Sequence, residues 1–273
     1  MRLELMNLAL MESPLLKYAR NVNSQFGEDG IIEHIFGVLK PESRMCVEFG
    51  AWDGKHFSNC NNLVENHGWG GVMIEADAGR FPALQKTYAG YPSVSCVNRL
   101  VHFDGPNSLD AILAERPSIP QSFGLLSIDI DGNDYHIWES LRNFTPDVVV
   151  IEFNPTVPND VIFVQDRSMS VTQGSSLLAF VMLGYEKGYK LAVCTDTNAF
   201  FVRKDKFPLL GVTNNSIWAL YKPDQDGRIF YGQDGTIFVV GMTHMIWHDR
   251  EVSSADFQIL PEAQRVWGDA KKD

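Results

Sequence analysis

Acidic residues and glycines follow two apolar segments near the start of the chain, in positions that could hold a nucleoside. The first segment, residues 45–49, has the apolar character of a buried strand and continues with Gly50 and Gly54, with three residues between them. The second segment, residues 71–74, ends in Glu75. A glycine turn between a strand and a helix brings the backbone close to a ligand, and a carboxylate after the next strand can accept both hydroxyls of a ribose. The pattern predicts a nucleoside pocket.

The charge of the glycine turn favours one nucleoside ligand over another. A dinucleotide-binding turn has the pattern G-x-G-x-x-G, and its N–H groups face a pyrophosphate. This chain lacks that pattern, and the carboxylates of Glu48 and Asp53 would repel a phosphate. S-adenosylmethionine carries a sulfonium and an ammonium and has no phosphate. The sequence therefore favours S-adenosylmethionine over NAD, with Glu48, Gly50, Asp53, Gly54 and Glu75 as the residues that bind it.

A second group of polar residues lies at the ends of two predicted strands farther along the chain. Asp129 lies near the end of strand 123–130, and Glu152 and Asn154 lie at the end of strand 147–153. Side chains two residues apart on a strand project to the same side. Oxygen ligands suit Mg²⁺ or Mn²⁺, so Asp129, Glu152 and Asn154 are candidate metal ligands. The alternative is that these side chains bind an acceptor molecule directly.

A hydroxyl acceptor must lose a proton during methyl transfer, so the site also needs a general base. His136 opens the helix predicted over residues 134–142 and is the best-placed histidine for this role. Asp129 and Glu152 are the other candidates for the chemical step. His136 could instead be an ordinary histidine at a helix start. His244 and His248 are four residues apart and could reach the site from a C-terminal lid.

These residues require a sheet that brings the ends of several strands together. The predicted strands are 45–49, 71–75, 93–97, 123–130, 147–153, 189–194 and 199–203. Helical patterns lie between most of them, and this alternation predicts an α/β fold with a mostly parallel sheet. In such sheets ligands bind at the carboxyl ends of the strands. The polar residues at or near those ends are Glu48, Glu75, Asn98, Asp129 and Glu152.

The chain divides into three predicted parts. Residues 1–40 form an N-terminal helical segment, in which an amphipathic helix ends near Tyr18. Residues 41–205 contain the sheet. Residues 206–273 are less regular and rich in aromatic side chains, which is typical of a lid or a dimer contact.

Composition excludes several classes of function. The 273 residues include 34 acids and 23 bases, for a net charge of −11, and no cluster of Lys and Arg occurs. Nucleic acids and anionic membranes are therefore poor partners. No segment approaches the ~18 apolar residues of a membrane-spanning helix, and no signal peptide is predicted. The four cysteines form no CxxC pair, so we expect reduced thiols and a cytoplasmic location.

Several motifs together resemble the FkbM-type class I methyltransferases. The motifs are Ser24-Gln25-Phe26-Gly27-Glu28-Asp29, Val47-Glu48-Phe49-Gly50 with Gly54, Ile74-Glu75-Ala76, Asp129-Ile130-Asp131-Gly132, Ile151-Glu152-Phe153-Asn154, and Gly188-Tyr189-Lys190-Leu191 with Asn198. The resemblance covers roughly residues 24–205. It implies a Rossmann-like, seven-stranded sheet with helices on both faces, S-adenosylmethionine as methyl donor, and O-methylation of a sugar or another polar metabolite.

The resemblance also assigns roles to individual residues. The donor-binding positions it implies are Gln25, Glu48, Gly50, Glu75, Ala76, Asn98 and Asp129. Within this set Glu75 would bind the ribose, Asn98 would lie near the adenine, and Asp129 would lie near the sulfonium. An N-methyltransferase acting on a small amine, and a non-catalytic nucleoside-binding module of the same fold, stay open as alternatives.

Overall fold

The computed structural model describes residues 13–222, 228–233, 236–241, 243–245 and 250–257, and seven of its strands form a single sheet. These strands are β1 (Met45–Phe49), β2 (Gly70–Glu75), β3 (Val94–Asn98), β4 (Ser122–Ile128), β5 (Thr145–Glu152), β6 (Tyr189–Cys194) and β7 (Asn198–Arg203). Their order is β3-β2-β1-β4-β5-β7-β6. Strands β1 to β5 pair in parallel, whereas β7 is antiparallel to β5 and β6. The Rossmann-like, mostly parallel, seven-stranded sheet that the sequence predicts is thereby confirmed.

Helices lie before, between and after the strands of the sheet. They are α1 (Glu28–Leu39), α2 (Asn61–His67), α3 (Phe81–Tyr88), α4 (Leu109–Ala114), α5 (Asp134–Ser140), α6 (Leu177–Glu186) and α7 (Ile217–Leu220). The chain crosses the sheet in one direction from β1 to β3 and in the other from β4 to β5. Right-handed crossovers therefore put α2 and α3 on one face and α5 on the other. The central strands are covered on both faces, and Val148, Val149, Val150 and Ile151 of β5 have no exposed surface.

Successive strands are added to one side of β1 from β1 to β3 and to the other side from β4 onward, so the order reverses between the neighbours β1 and β4. In sheets of this kind a crevice forms outside the strand ends at such a switch point. Gly50 follows β1 with a φ of 77°, and a Cβ atom at this position would lie 1.8 Å from the carbonyl oxygen of Asp129, which follows β4. Only glycine allows the ends of these two strands to approach so closely.

The sheet-containing body is larger than the segment 41–205 predicted for it. Helix α1 packs in the core with Ile31 and Ile35 fully buried. After β7, a 3₁₀ helix (Phe207–Leu210) and α7 also enter the core, and Tyr221 is buried there as well. The boundary predicted at residue 205 therefore falls inside the body.

The structure describes only part of each end of the chain. The helix predicted over residues 1–20 is represented by one 3₁₀ turn (Leu16–Tyr18), and residues 1–12 lie outside the described residues. The C-terminal segment contains two hairpins and a short helix, namely β8 (Arg228–Tyr231) with β9 (Ile237–Val240), β10 (His244–Met245) with β11 (Arg250–Glu251), and α8 (Ser254–Phe257). His248 lies outside the described residues, so its pairing with His244 stays a prediction.

Among the described helices, none has the length and apolar character needed to cross a membrane.

Candidate functional site

A cavity of about 460 Å³ opens at the carboxyl ends of β1, β2, β4 and β5. This volume is within the range of pockets that enclose small organic ligands. The residues of its wall that matter for chemistry are Gln25, Glu48, Gly50, Trp52, Phe57, Glu75, Ala76, Arg80, Arg99, Leu100, Asp129, Asp131 and Glu152. Six predicted donor-binding positions are in this set. Three others, Asp53, Gly54 and Asn98, do not line the cavity.

Glu75 ends β2 and is buried at the cavity wall. One carboxylate oxygen accepts a hydrogen bond from the N–H of Trp52 at 2.7 Å, and the other accepts one from the N–H of Asp77 at 2.7 Å. Each oxygen of a carboxylate can accept a second hydrogen bond. Glu75 therefore fixes the turn after β1 and keeps acceptor capacity for ligand hydroxyls.

Glu48 holds the other end of the same turn. Its carboxylate accepts hydrogen bonds from the Ser58 hydroxyl at 2.5 Å and from the N–H of Asn59 at 2.8 Å. Burial raises the pKa of Glu48 to about 7, although the hydrogen bonds from Ser58 and Asn59 act in the opposite direction. Glu48 lines the cavity, and its bonds to Ser58 and Asn59 fix the end of the turn before α2.

Asp53 and Gly54, predicted to contact the donor, instead shape the loop. One oxygen of Asp53 accepts hydrogen bonds from the N–H groups of Lys55 and His56, both at 2.9 Å. A Cβ atom on Gly54 would lie 2.5 Å from the Tyr88 ring, so the glycine permits close packing on α3, and it does not line the cavity. After Trp52 the chain leaves the cavity wall for residues 53–55 and returns to it at His56, so Asp53 and Gly54 do not line the cavity.

Asn98 also has a structural task. Its side-chain amide donates to the carbonyl oxygen of Glu75 at 2.8 Å and so joins the ends of β2 and β3. The residues that follow it, Arg99, Leu100 and Val101, line the cavity in its place. The predicted segment is therefore at the site, but Asn98 itself is not.

Three carboxylates meet at the ends of β4 and β5. Side-chain oxygens of Asp129, Asp131 and Glu152 all lie within 4.8 Å of one another. Burial and the negative charges of neighbouring acids raise the pKa of both Asp129 and Glu152. Asp131 has a left-handed backbone with a φ of 53°, and Asp134 fixes this turn by accepting hydrogen bonds from the N–H groups of Ile130 and Gly132. The cluster can retain a proton or bind a cation.

Asn154 does not belong to the cluster, in contrast to its predicted role as a metal ligand. Its amide donates to the carbonyl oxygen of Gln173 at 2.8 Å, and its oxygen accepts from the N–H of Thr156 at 2.9 Å. Strand β5 ends at Glu152, so the alternation of side chains does not continue to Asn154. Asp131 is the third oxygen donor instead.

His136, predicted as a general base, also lies off the cavity wall. It is buried on α5, and its Nε2 donates to the carbonyl oxygen of Gln165 at 2.8 Å. This bond ties α5 to the long loop between β5 and α6. Of the three residues predicted for the chemical step, Asp129 and Glu152 therefore line the cavity and His136 does not.

An aromatic and basic group at the cavity mouth was not predicted. Trp52 and Phe57 are 41% and 52% exposed, and their ring centroids lie 6.4 Å apart. The guanidinium of Arg80 lies over the Trp52 ring, 4.9 Å from its centroid. A tryptophan between two glycines of a ligand-binding turn is the signal that could have identified this group.

Comparisons with known proteins agree with the fold only distantly. No family model and no curated protein matches the sequence. Among solved structures, the CMeT domain of citrinin polyketide synthase is 14% identical over 60% of this chain, with a TM-score of 0.41, and the chain spans about half of that structure, 47%. The N-terminal domain of EvdMO1 with SAH bound is 9% identical, with a TM-score of 0.44, over 74% of this chain and 95% of that one.

An O-methyltransferase family protein from Burkholderia thailandensis is 10% identical, with a TM-score of 0.40, over 64% of this chain and 58% of that one. The likenesses are remote. The fold assignment rests on the strand order and on the antiparallel placement of β7.

Proposed function

We propose that this chain is an S-adenosylmethionine-dependent methyltransferase of the FkbM type that acts on a hydroxyl of a sugar or another polar metabolite. The supporting observation is one cavity at the switch point between β1 and β4, with Glu75 on one side and the carboxylates of Asp129 and Glu152 on the other. Strand β1 alone separates β2 from β4, so a ligand that reaches from Glu75 to Asp129 spans about 10 Å. An extended nucleoside joined to an amino acid fits this arrangement.

The charges of the wall fit the same donor. The donor, when bound, supplies a methyl carbon activated by a sulfonium. Glu75 is suited to accept hydrogen bonds from the ribose hydroxyls, and Asp129 is suited to favour the cationic end by electrostatic attraction. Arg80 and Arg99 line the other side of the cavity, but a pyrophosphate at the ends of β1 and β4 would meet Glu48, Asp129 and Asp131, which disfavours a dinucleotide there.

The acid cluster can serve the acceptor in two ways. In the first, Asp129 or Glu152 removes the hydroxyl proton, as a general base does. In the second, Asp129, Asp131 and Glu152 hold Mg²⁺ or Mn²⁺, and the metal lowers the pKa of the hydroxyl. A chelator separates the two.

The same cluster favours one further candidate, N-methylation of a small amine. Three carboxylate side chains within 4.8 Å attract a cationic amine as well as a metal ion. The amine must lose a proton before it attacks, so the base is still required. A non-catalytic module of this fold would bind the donor without turnover.

Binding of S-adenosylhomocysteine, the demethylated donor, tests the proposal directly. We expect micromolar affinity by calorimetry, and Glu75→Gln should weaken binding by about 1–3 kcal/mol because a charged acceptor of the ribose hydroxyls is lost. The control is Glu186→Gln, an exposed residue of α6, which should bind as the parent does. A folded protein that gives neither heat nor a thermal shift with this ligand would exclude the proposal.

Turnover distinguishes the enzyme from the binding module. Transfer of a labelled methyl group from S-adenosylmethionine to nucleotide sugars, and in parallel to small amines, measures it. Label in the sugars supports O-methylation, and label in the amines alone supports N-methylation. Donor binding with no transfer to any acceptor tested favours the non-catalytic module.

A further inference from the structure

Two aromatic residues in the turn after β1 adopt a backbone conformation that bulky side chains rarely take. Trp52 has a φ of 47° and Phe57 a φ of 59°. A non-glycine residue keeps a left-handed backbone only where its surroundings hold it there, and such strain is concentrated at functional sites. Here Glu75 holds the N–H of Trp52 at 2.7 Å, and Glu48 holds the far end of the turn through Ser58.

The indole of Trp52 does not fill the core. It is 41% exposed on the cavity wall, and Arg80 lies over it. Arg80 belongs to the segment between β2 and α3, and its ion pair with Asp77 is long, at 4.0 Å between two side chains that are more than half exposed. Trp52 and Arg80 thus connect the turns after β1 and β2 across the mouth of the cavity.

The pair stands next to the carboxylate that the proposed function assigns to the ribose. The N–H of Trp52 is bonded to Glu75, and Trp52, Glu75 and Arg80 line one cavity, so a nucleoside with its hydroxyls on Glu75 would lie beside the turn that carries the indole. Leu100, half exposed, lines the same cavity from the segment after β3. Indole faces, guanidinium planes and apolar side chains are surfaces on which a flat base stacks.

We infer that Trp52 and Arg80 form the wall against which the adenine of the donor stacks. The inference rests on the proposed function and adds two donor-binding residues to it. On this inference, the left-handed backbone at Trp52 places a large ring at the cavity mouth, where it can contact the base, rather than in the core. The affinity of the site for the base depends on that ring, and the affinity for the ribose depends on Glu75.

Calorimetry with two probes tests this division. S-adenosylhomocysteine carries the base, and S-ribosylhomocysteine lacks it. Trp52→Gly removes the ring and suits a left-handed backbone, so the melting temperature should equal or exceed that of the parent. We expect the variant to bind S-adenosylhomocysteine about tenfold or more weakly, with S-ribosylhomocysteine unaffected. Trp52→Phe, which keeps an aromatic ring, should retain most of the affinity for S-adenosylhomocysteine. Arg80→Ala should weaken the binding of S-adenosylhomocysteine and leave that of S-ribosylhomocysteine unchanged.

Two matched controls separate the loss of the Trp52 ring from relief of backbone strain and from loss of an exposed indole elsewhere. Lys40 has a φ of 46° at the end of α1, so Lys40→Gly relieves the same kind of strain away from the cavity. Trp218 is 54% exposed and does not line the cavity, so Trp218→Ala removes a similar ring from another surface. Both variants should bind S-adenosylhomocysteine as the parent does.

Three results would overturn the inference, and they differ from one another. If Trp52→Gly binds S-adenosylhomocysteine within twofold of the parent, the ring does not contact the base and faces the acceptor instead. If both probes weaken equally, Trp52 acts through the turn at Glu75. If the parent protein binds neither probe, the proposed function fails first and the inference fails with it.

Discussion

Asp129 and Glu152 lie at the ends of neighbouring strands, and burial together with adjacent negative charges raises the pKa of each carboxyl. A carboxyl group with a raised pKa is the stronger base once it is ionised, but it ionises only at higher pH. If this pair accepts the proton of the acceptor, methyl transfer must rise with pH over the range in which the pair ionises. It should reach a plateau when the base is fully ionised.

Asp129→Asn tests this role. We expect kcat to fall by about 10²–10⁴-fold, the usual contribution of a general base, with a much smaller change in the dissociation constant of S-adenosylhomocysteine. The residual activity of the variant should rise over a lower pH range than the activity of the parent does, because Glu152 loses the neighbouring charge of Asp129 that raises its pKa. Rates across a pH series, with calorimetry for donor binding, give both quantities.

The control for this series is Asp205→Asn, an exposed acid just beyond the end of β7. Because β7 is antiparallel to β5, this end of β7 lies away from the carboxyl ends of the strands that form the cavity. Near-normal turnover of Asp129→Asn would make Asp129 a structural residue. The parent is also assayed in excess chelator. Loss of transfer that Mg²⁺ restores would assign Asp129, Asp131 and Glu152 to a metal instead of a proton.

At the residue scale the sequence indicates strand ends well and loop directions poorly. Glu48, Glu75 and Asp129 reach the cavity because apolar strands fix where they lie. Asp53 lies off the cavity wall because residues 53–55 leave the wall next to Trp52, whose left-handed φ no sequence pattern predicts. The position of His136 off the cavity wall was not foreseen, because its hydrogen-bond partner, Gln165, comes from a long loop whose sequence has no periodic pattern.

Among the elements, the seven predicted strands and the helix predicted over residues 134–142 agree with the structure to within about two residues, which is the usual uncertainty of such boundaries. The predicted strand 123–130 ends at Ile128, because Asp129 already starts the turn that Asp134 holds. The sheet order is not contained in any local pattern. It follows from long-range pairing, such as that of β1 with both β2 and β4.

The contact between the ends of β1 and β4 gives a prediction for Gly50→Ala. A methyl group there would meet the carbonyl oxygen of Asp129, and the residue would keep an unfavourable φ. We expect a loss of stability of roughly 1–3 kcal/mol or more, together with weaker binding of S-adenosylhomocysteine, because the strand ends must separate. Denaturant unfolding and calorimetry measure the two effects.

Gly37→Ala is the matched control. Gly37 lies within α1, and a Cβ atom there would have no neighbour within 4 Å. Alanine in a helix is favoured over glycine by about 1 kcal/mol, so this variant should be more stable than the parent and bind the donor normally. A Gly50→Ala protein as stable as Gly37→Ala would show that the close approach is not required.

For the whole molecule, the described body extends to Tyr221, and two truncations test this limit. A chain ending at residue 222 keeps Phe207, Leu210, Leu220 and Tyr221 in the core. A chain ending at residue 205 loses all four, at about 1.5–3 kcal/mol each, a sum that approaches the whole stability of a typical domain. We expect the first chain to unfold cooperatively and bind S-adenosylhomocysteine, and the second to be unfolded by circular dichroism.

The longer truncated chain also tests the role of the C-terminal segment, which we propose as a lid or a dimer contact. Its first hairpin exposes large apolar side chains, namely Ile229, Phe230, Tyr231 and Phe238. Exposed side chains of this kind are typical of surfaces that meet a ligand or another chain. Removal of the segment should abolish transfer or dissociate a dimer, as judged by methyl transfer and gel filtration. If neither changes, the segment has neither role.

The hydrogen bond from the Trp52 N–H to Glu75 has a consequence for how this protein can change over generations. One carboxylate orders the turn and also faces the cavity, so a substitution at Glu75 alters loop conformation and ligand affinity together. The effect of a change at Trp52 therefore depends on which residue occupies position 75, and the reverse holds as well. Substitutions at positions 52 and 75 should therefore have non-additive effects on ligand affinity, so the order in which they arise affects which combinations stay functional.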